Sequence, residues 1–320
     1  MPSKNKTFEP ETERSRSEDG QPPLSGEKTP GIQKPYAAGE DRLNLLYHSI
    51  FQWGWKHFPS LRKYMAHRRL LPWKSVICDG PGFRLRIRPP RTSVIGSSVY
   101  LSGIWEPEMT AAVQQNVQNG WHVLDVGADI GYYSLLFASR CGPQGAVAAF
   151  EPDPEPWPIL LENIAMFDYP IIRPFPLALS DHRGHGMMKR AGRGQMFPDR
   201  EKEGTDTSTV EMLPLGDVWP RLAWDRLDLV KIDVEGAEMS VLRGMEKILE
   251  EYRPQLVIEI HPYQLREVFH SSAEEVISFL TEKYPYRLTP IAAETLDIPQ
   301  KGNLTVWCVW VDGDAREDQP

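Results

Sequence analysis

The stretch VLDVGADIGYYS, residues 123–134, is where the fold is decided. Apolar residues flank Asp125 as far as Val126, Gly127 and Gly131 then interrupt, and Tyr132 begins a new run. This reads as a buried strand that ends in a tight turn and feeds a helix. Small residues at such a junction let backbone amides approach a ligand at the helix N-terminus. A turn that merely needs glycine would use the same residues, so the strands that follow have to separate the two readings.

The next apolar run, 146–150, ends in Glu151, 26 residues beyond Asp125. A carboxylate at that strand end can accept hydrogen bonds from both hydroxyls of a ribose, and each charge-assisted bond is worth about 1.5 to 3 kcal/mol when desolvated. A third run, 171–178, leads into Ala178-Leu179-Ser180-Asp181, where an acid is placed to receive an adenine amino group. Glycine turn, ribose acceptor and base acceptor thus follow in order on three strand ends.

A nicotinamide dinucleotide is the rival ligand, since its enzymes also place an acid about 20 residues after a glycine turn. The turn here is Gly127-Ala128-Asp129-Ile130-Gly131 rather than GxGxxG, and Asp125 and Asp129 put negative charge where a pyrophosphate needs amides. A sulfonium and an ammonium group suit such a pocket better. S-adenosylmethionine carries both, together with an adenosine.

Working outward, apolar runs at 122–126, 146–150, 171–178, 227–234 and 256–260 alternate with helical stretches. That pattern implies an α/β fold, Rossmann-like, with a mostly parallel sheet covered on both faces. Pro107 opens a helix whose stripe of Met109, Ala112, Val113 and Val117 stops at Gly120. The runs 286–291 and 304–311 read as an antiparallel pair closing one edge. Residues 106–320 form this body. Ahead of it, 43–105 read as a basic cap, with a helical pair from Leu43 and extended pieces at 75–78, 83–88 and 94–101. Residues 1–42, with six Pro, four Gly and only Leu24 and Ile32 among Val, Ile and Leu, read as a disordered tail.

At 320 residues, 41% apolar and 25% charged, with a mean hydropathy of −0.43, the chain is composed like a soluble globular protein. No apolar run approaches the length of a membrane span. The start is polar, and Cys78, Cys141 and Cys308 form neither a disulfide framework nor a CxxC pair, so a cytoplasmic setting is expected. The net charge of −8 is unevenly spread: 43–91 hold 10 basic and 1 acidic side chains, 92–320 hold 19 and 35. An acidic body argues against sequence-independent nucleic-acid binding, which rests on neutralised phosphates. In the basic segment Trp53, Trp55, Phe58, Tyr64 and Trp73 are interleaved with Lys56, Arg62, Lys63, Arg68 and Arg69. That reads first as the two faces of cap helices and second as a contact with a membrane surface or a nucleic-acid strand.

At this point the chain resembles the FkbM family of S-adenosylmethionine-dependent methyltransferases. The resemblance rests on GIWEPE (103–108), VLDVGADIGYYS, AFEPDP (149–154), ALSD (178–181) and DLVKIDVEGAEMSVLRG (228–244). It implies a seven-stranded class I methyltransferase sheet with a reversed last strand, and O-methylation of a sugar, glycolipid or natural-product hydroxyl. It also implies that Asp125, Gly127, Ala128, Asp129, Gly131 and Glu151 hold the cofactor, with Asp181 near the adenine. Two positions depart from the family pattern: Asp129 replaces the usual Asn, and Gly216 stands where Asp is usual.

On the fourth strand Lys231, Asp233 and Glu235 share parity, as Glu259 and His261 do on the fifth, so each set points to one face. If these strands are neighbours, as the family sheet implies, Asp233, Glu235, Glu259 and His261 converge where an acceptor hydroxyl meets the methyl group. His261, Asp233 or Glu235 is then the expected base. Bland readings exist for several of these residues. Glu235 and Glu238 at a helix start would complement its dipole, Lys231 would neutralise a neighbouring acid, and His261 before Pro262 could be a satisfied loop histidine. An Asp, Glu and His group can also hold a divalent metal such as Mg²⁺, but without HxH or HExxH spacing metal-independent transfer is expected.

The basic run 180–202 reads as a mobile loop. The expected partner is a small-molecule or glycan acceptor, and oligomeric state is not readable. Two other classes remain open: an NAD(P)-binding Rossmann oxidoreductase, and a non-catalytic protein that keeps the nucleoside pocket and holds an anionic partner on its basic cap.

Overall fold

The computed structural model describes residues 74–89, 93–189, 196–197, 207–299 and 302–311. The chain falls into two compact units, Met1–Arg42 and Leu43–Pro320, and every described residue belongs to the second. The tail read over 1–42 and the helical pair of the cap lie outside the described residues.

The described chain opens with an antiparallel hairpin, β1 (Val76–Asp79) and β2 (Arg84–Ile87), followed by helices α1 (Val94–Ser102) and α2 (Pro107–Asn116). Helix α1 replaces the extended piece expected over 94–101. Its β-branched residues suggested a strand, but Ser93 Oγ accepts from the Gly96 N–H at 2.9 Å and Gly103 closes the last turn at φ 76°. Both ends are therefore capped as a helix.

Strand and helix then alternate through β3 (His122–Val126), α3 (Tyr132–Cys141), β4 (Ala146–Phe150), α4 (Trp157–Met166) and β5 (Ile172–Phe175). The strand expected over 171–178 breaks after Phe175, where Pro174 and Pro176 remove ladder donors. Its remainder, β6 (Ala178–Leu179), joins β7 (Gly184–Lys189), β8 (Met196–Phe197) and β9 (Thr207–Leu213) in a separate sheet ordered β6-β9-β7-β8. The run 180–202 is thus partly a paired strand and not wholly a mobile loop. Its inward positions in β7 are Gly186 and Met188, a pattern too weakly apolar to read as alternation. Residues 190–195 and 198–206 lie outside the described residues.

The body is completed by α5 (Leu215–Leu222), β10 (Leu229–Ile232), α6 (Glu238–Gly244), α7 (Glu246–Tyr252), β11 (Gln255–Ile260), α8 (Pro262–Phe269), α9 (Ala273–Ser278), β12 (Tyr286–Ile291) and β13 (Leu304–Trp310). The main sheet runs β12-β13-β11-β10-β3-β4-β5. Its central strands are parallel, and β13 lies antiparallel to both β11 and β12. This is the seven-stranded arrangement with a reversed last strand.

Alternation along each strand divides the core between two faces. Leu124, Val126, Val230, Ile232, Leu256, Ile258 and Ile260 pack with α5, α6, α7 and α9, whereas Val123, Leu229 and Val257 pack with the hairpin, α1, α2 and α3. Each fully buried aliphatic contributes about 1.5 to 3 kcal/mol, so both layers are well anchored. The residues 76–102 therefore share one core with the sheet. Asp125, Lys231, Asp233, Glu259 and His261 have the parity of this second face, and register places Lys231 directly beside Asp125. Among the described residues no helix is long and apolar enough to cross a membrane.

Two glycines fix how the loops at the strand ends cross. A Cβ on Gly127, at φ 83°, would lie 1.8 Å from the Asp233 carbonyl oxygen, and one on Gly244 would lie 1.9 Å from that of Ser180. Gly216 has nothing within 4 Å of such an atom. Gly127→Ala should cost about 2 kcal/mol or more of unfolding free energy, while Gly216→Ala stays within about 1 kcal/mol of the parent. Urea denaturation of the two variants checks this, and equal losses would contradict the crossing.

Candidate active site

The first half of the site gathers at the ends of β3 and β4. Asp125 is fully buried; its Oδ2 accepts from Ser134 Oγ at 2.5 Å and its Oδ1 lies 3.7 Å from Lys231 Nζ. Burial pushes the Asp125 carboxyl up, and the Lys231 charge pulls it back. Glu151 is also buried, with Oε2 accepting from the Asp129 N–H and Oε1 from the Asp153 N–H, both at 2.7 Å. Burial and then the Asp129 charge push its carboxyl up to about 8. Each carboxylate oxygen has a second lone pair, so the two backbone donors leave acceptor capacity.

The turn itself departs from expectation. The Gly127 and Ala128 amides donate to the Phe150 carbonyl at 3.0 Å each, the Asp129 amide to Glu151, and the Gly131 amide to the Ala128 carbonyl at 2.8 Å. The small residues thus serve close packing against the Asp233 carbonyl, and in this structure their amides already have protein acceptors. The charge that Asp129 adds is met by Arg88, whose Nη2 lies 3.2 Å from Asp129 Oδ1 while Nη1 lies 3.4 Å from Glu155 Oε1. Asp181 sits after β6 and faces His182 Nδ1 at 2.6 Å. It makes a local pair there, apart from the hydrogen bonds that join Asp125, Asp129 and Glu151 to their partners.

The second half lies at the ends of β10 and β11, where strand direction carries Asp233, Glu259 and His261 to one place and the loop after β10, with Glu235 at φ 50°, adds the fourth expected side chain. His261 Nε2 lies 3.6 Å from Glu235 Oε2 and 3.8 Å from both Asp233 Oδ1 and Glu259 Oε1. Lys231 Nζ is 3.1 Å from Asp233 Oδ2 and 5.0 Å from the centre of the Tyr133 ring, and so links the two halves. Burial works against the Lys231 charge, but Asp233 and Asp125 outweigh it and hold the ammonium above its ordinary range. Asn303, from the loop before β13, donates to Glu259 Oε1 at 2.7 Å. Gln264 donates to Glu235 Oε2 at 3.0 Å.

Two acids not foreseen as part of the site belong to it. Glu238, read as a helix-dipole partner, is fully buried with Oε1 2.6 Å from His261 Nδ1. Glu106, inside GIWEPE, accepts from Tyr133 Oη at 2.6 Å, and burial raises its carboxyl. The signal for Glu106 was present in that motif. For Glu238 the sequence offered only its place at a helix start.

Burial opposes the His261 charge, but its bond to Glu238 and the charges of Glu238, Asp233 and Glu259 lift it to about 9. Burial, with Asp233 beside it, raises Glu259 to about 7. Asp233, Glu259 and His261 offer donor atoms within 4.8 Å of one another, a set that suits a divalent cation by composition. A cation held there would require His261 to give up its ring proton.

His261, Glu151 and Glu259 are therefore protonated in the folded chain at pH values where the unfolded chain has released those protons. The windows run from 6.5 to about 9, 4.5 to about 8 and 4.5 to about 7. The folded state binds more protons, so this stability is present below the ordinary values and is lost as pH rises through the folded ones. The thermal midpoint should fall between about pH 5 and pH 9, with a shallower slope when Glu151→Gln and His261→Gln are combined. A midpoint that rises across this window in calorimetry would contradict the assignment.

Comparison with known proteins places the chain in a family. The methyltransferase FkbM domain model matches residues 125–288, a little over half of the chain. Methyltransferase sdnD of Sordaria araneosa is 28% identical over 176 residues, covering 45% of this chain and 68% of that protein. Hexuronic acid methyltransferase AglP of Haloferax volcanii is 28% identical over 142 residues, covering 43% of this chain and 54% of its own. A crystal structure of methyltransferase FkbM from Methylobacillus flagellatus superposes with a TM-score of 0.42 at 16% identity, covering 66% of this chain and 52% of that one. The chain thus spans from about half to about two thirds of the length of these relatives, 52% to 68%, and its fold is fixed by strand order rather than by that superposition. By the match over residues 125–288, this protein is a member of the FkbM methyltransferase family.

Proposed function

We propose that this protein transfers a methyl group from S-adenosylmethionine to a hydroxyl of a sugar, glycolipid or natural-product acceptor, in the cytoplasm, releasing S-adenosylhomocysteine. The observation that carries this reading is the pair of strand-end sites joined by Lys231: Glu151 on one side, the Asp233, Glu235, Glu259 and His261 group on the other. Glu151 keeps acceptor capacity for ribose hydroxyls, and Asp125, Gly127, Ala128, Asp129 and Gly131 shape the turn beside it. Asp181 is assigned to the adenine edge once its pair with His182 opens.

The donor supplies an electrophilic methyl group on a cationic sulfur. Asp233, Glu235 and Glu259 surround that charge with carboxylates, which favours a cation over the pyrophosphate of a dinucleotide. Holding oxygen, carbon and sulfur in line accounts for most of the rate, since oriented reactants reach effective molarities of about 10⁵ to 10⁸ M. His261, Asp233 or Glu235 takes the hydroxyl proton, a step worth about 10² to 10⁴ in rate. A hydroxyl acceptor fits this arrangement because a base stands at the strand ends. The name of AglP, a hexuronic acid methyltransferase, supports a sugar acceptor. The buried free thiols Cys78, Cys141 and Cys308 support a reducing compartment.

Incubation with methyl-labelled S-adenosylmethionine and a panel of sugars, glycolipids and polyketides should give one acceptor that gains a single methyl group by mass spectrometry. Glu151→Ala should weaken cofactor binding by about 10- to 100-fold in calorimetry, the loss of two ribose hydrogen bonds that are strongest where the Glu151 carboxyl is ionised. Undiminished binding to Glu151→Ala, or preferential binding of a nicotinamide dinucleotide, would overturn the reading.

A further inference from the structure

The acid nearest the interior of the site is also the one least explained by its local role. Glu238 begins α6, where an acid serving only the helix dipole would stay hydrated. Instead it is 0% exposed, its Oε1 accepts from the Gly236 N–H at 3.0 Å and meets His261 Nδ1 at 2.6 Å, and its Oε2 is buried without a hydrogen bond. A carboxylate buried in this way is costly unless a positive partner is held against it. His261 is that partner, 1% exposed and fixed between β11 and α8.

The two ring nitrogens of His261 face different surroundings. Nδ1 is committed to Glu238. Nε2 looks toward Asp233, Glu235 and Glu259, all beyond hydrogen-bond length, whose side chains are 26%, 32% and 17% exposed. Exposure thus increases outward from Glu238 through His261 to the three acids, so the second nitrogen is the one an entering acceptor can reach. The charged groups around the ring come from every neighbouring element: Lys231 on β10, Asp233 and Glu235 in the loop after it, Glu238 on α6, Glu259 on β11 and Glu106 at the start of α2.

Resting on the methyl-transfer reading above, we propose that Glu238 is a positioning residue that holds His261 through Nδ1 so that Nε2 receives the acceptor proton. As the acceptor oxygen forms its bond to the methyl carbon, the carbon–sulfur bond breaks and its electron pair stays on sulfur. The hydroxyl proton passes to Nε2, and the Glu238 carboxylate balances the imidazolium charge. Because His261 holds its proton up to about 9 in the free protein, turnover should rise with pH on an ascending limb set by this ring.

The test combines ring-nitrogen NMR on the whole protein with pH profiles of methyl transfer. The wild-type neutral ring should carry its proton on Nδ1. Glu238→Gln should lower the His261 titration midpoint by about 1 unit or more, move the ascending limb the same way, and reduce kcat by about 10- to 100-fold with KM for the cofactor unchanged. Glu238→Asp should recover part of kcat. A neutral ring protonated on Nε2, or a Glu238→Gln enzyme whose midpoint and kcat match the parent, would overturn the assignment, as would line broadening at Nε2 by added Mn²⁺ with activity lost to a chelator. The wild-type ring measurement requires no variant to fold. If no acceptor is ever methylated, the methyl-transfer reading fails while the ring measurement still decides the pairing of Glu238 with His261.

Discussion

A buried ammonium group organises this molecule. Lys231 Nζ sits within the sheet between Asp125 at the end of β3 and Asp233 beyond β10, with the Tyr133 ring beneath it. Neither the cation nor Asp125 could be left alone at that depth, because an unpaired buried charge costs several kcal/mol. The pair therefore ties together two strand ends that register already makes neighbours. Through it the half of the site that resembles a nucleoside cradle is mechanically and electrostatically continuous with the half that resembles a proton acceptor.

Around that link the site is strongly acidic. Glu106, Asp125, Asp233, Glu235, Glu238 and Glu259 face Lys231 and His261, and burial raises the carboxyls of Glu106, Asp125 and Glu259. A cation entering such a place relieves repulsion, whereas a phosphate would add to it. Arg88 supplies a separate correction at the edge, where Asp129 would otherwise add charge beside Glu151. Here the hairpin takes part in the site: Arg88, the residue after β2, brings a guanidinium to the turn after β3.

Much of the fold could be read from sequence because buried parallel strands leave a near-continuous apolar signature. The runs at 122–126 and 146–150 are strands with those same ends. Parity on two strands, with the adjacency that the family resemblance implies, was enough to bring Asp233, Glu259 and His261 together, since the alternation of side chains is a property of the backbone. The errors have physical causes as well. Helix α1 is set by Ser93 and Gly103 rather than by its β-branched interior, and β7 hides its alternation behind Gly186 and Met188. Glu238 and Arg88 were illegible as site residues because their partners, His261 and Asp129, are 23 and 41 positions away and no local pattern announces such contacts.

A crystal structure of the protein with S-adenosylhomocysteine would be decisive. The ribose hydroxyls should lie against Glu151 and the sulfur should face Asp233 and His261 across Lys231. A nucleoside seated elsewhere, or a Glu151 carboxylate turned away from it, would be incompatible with the arrangement described.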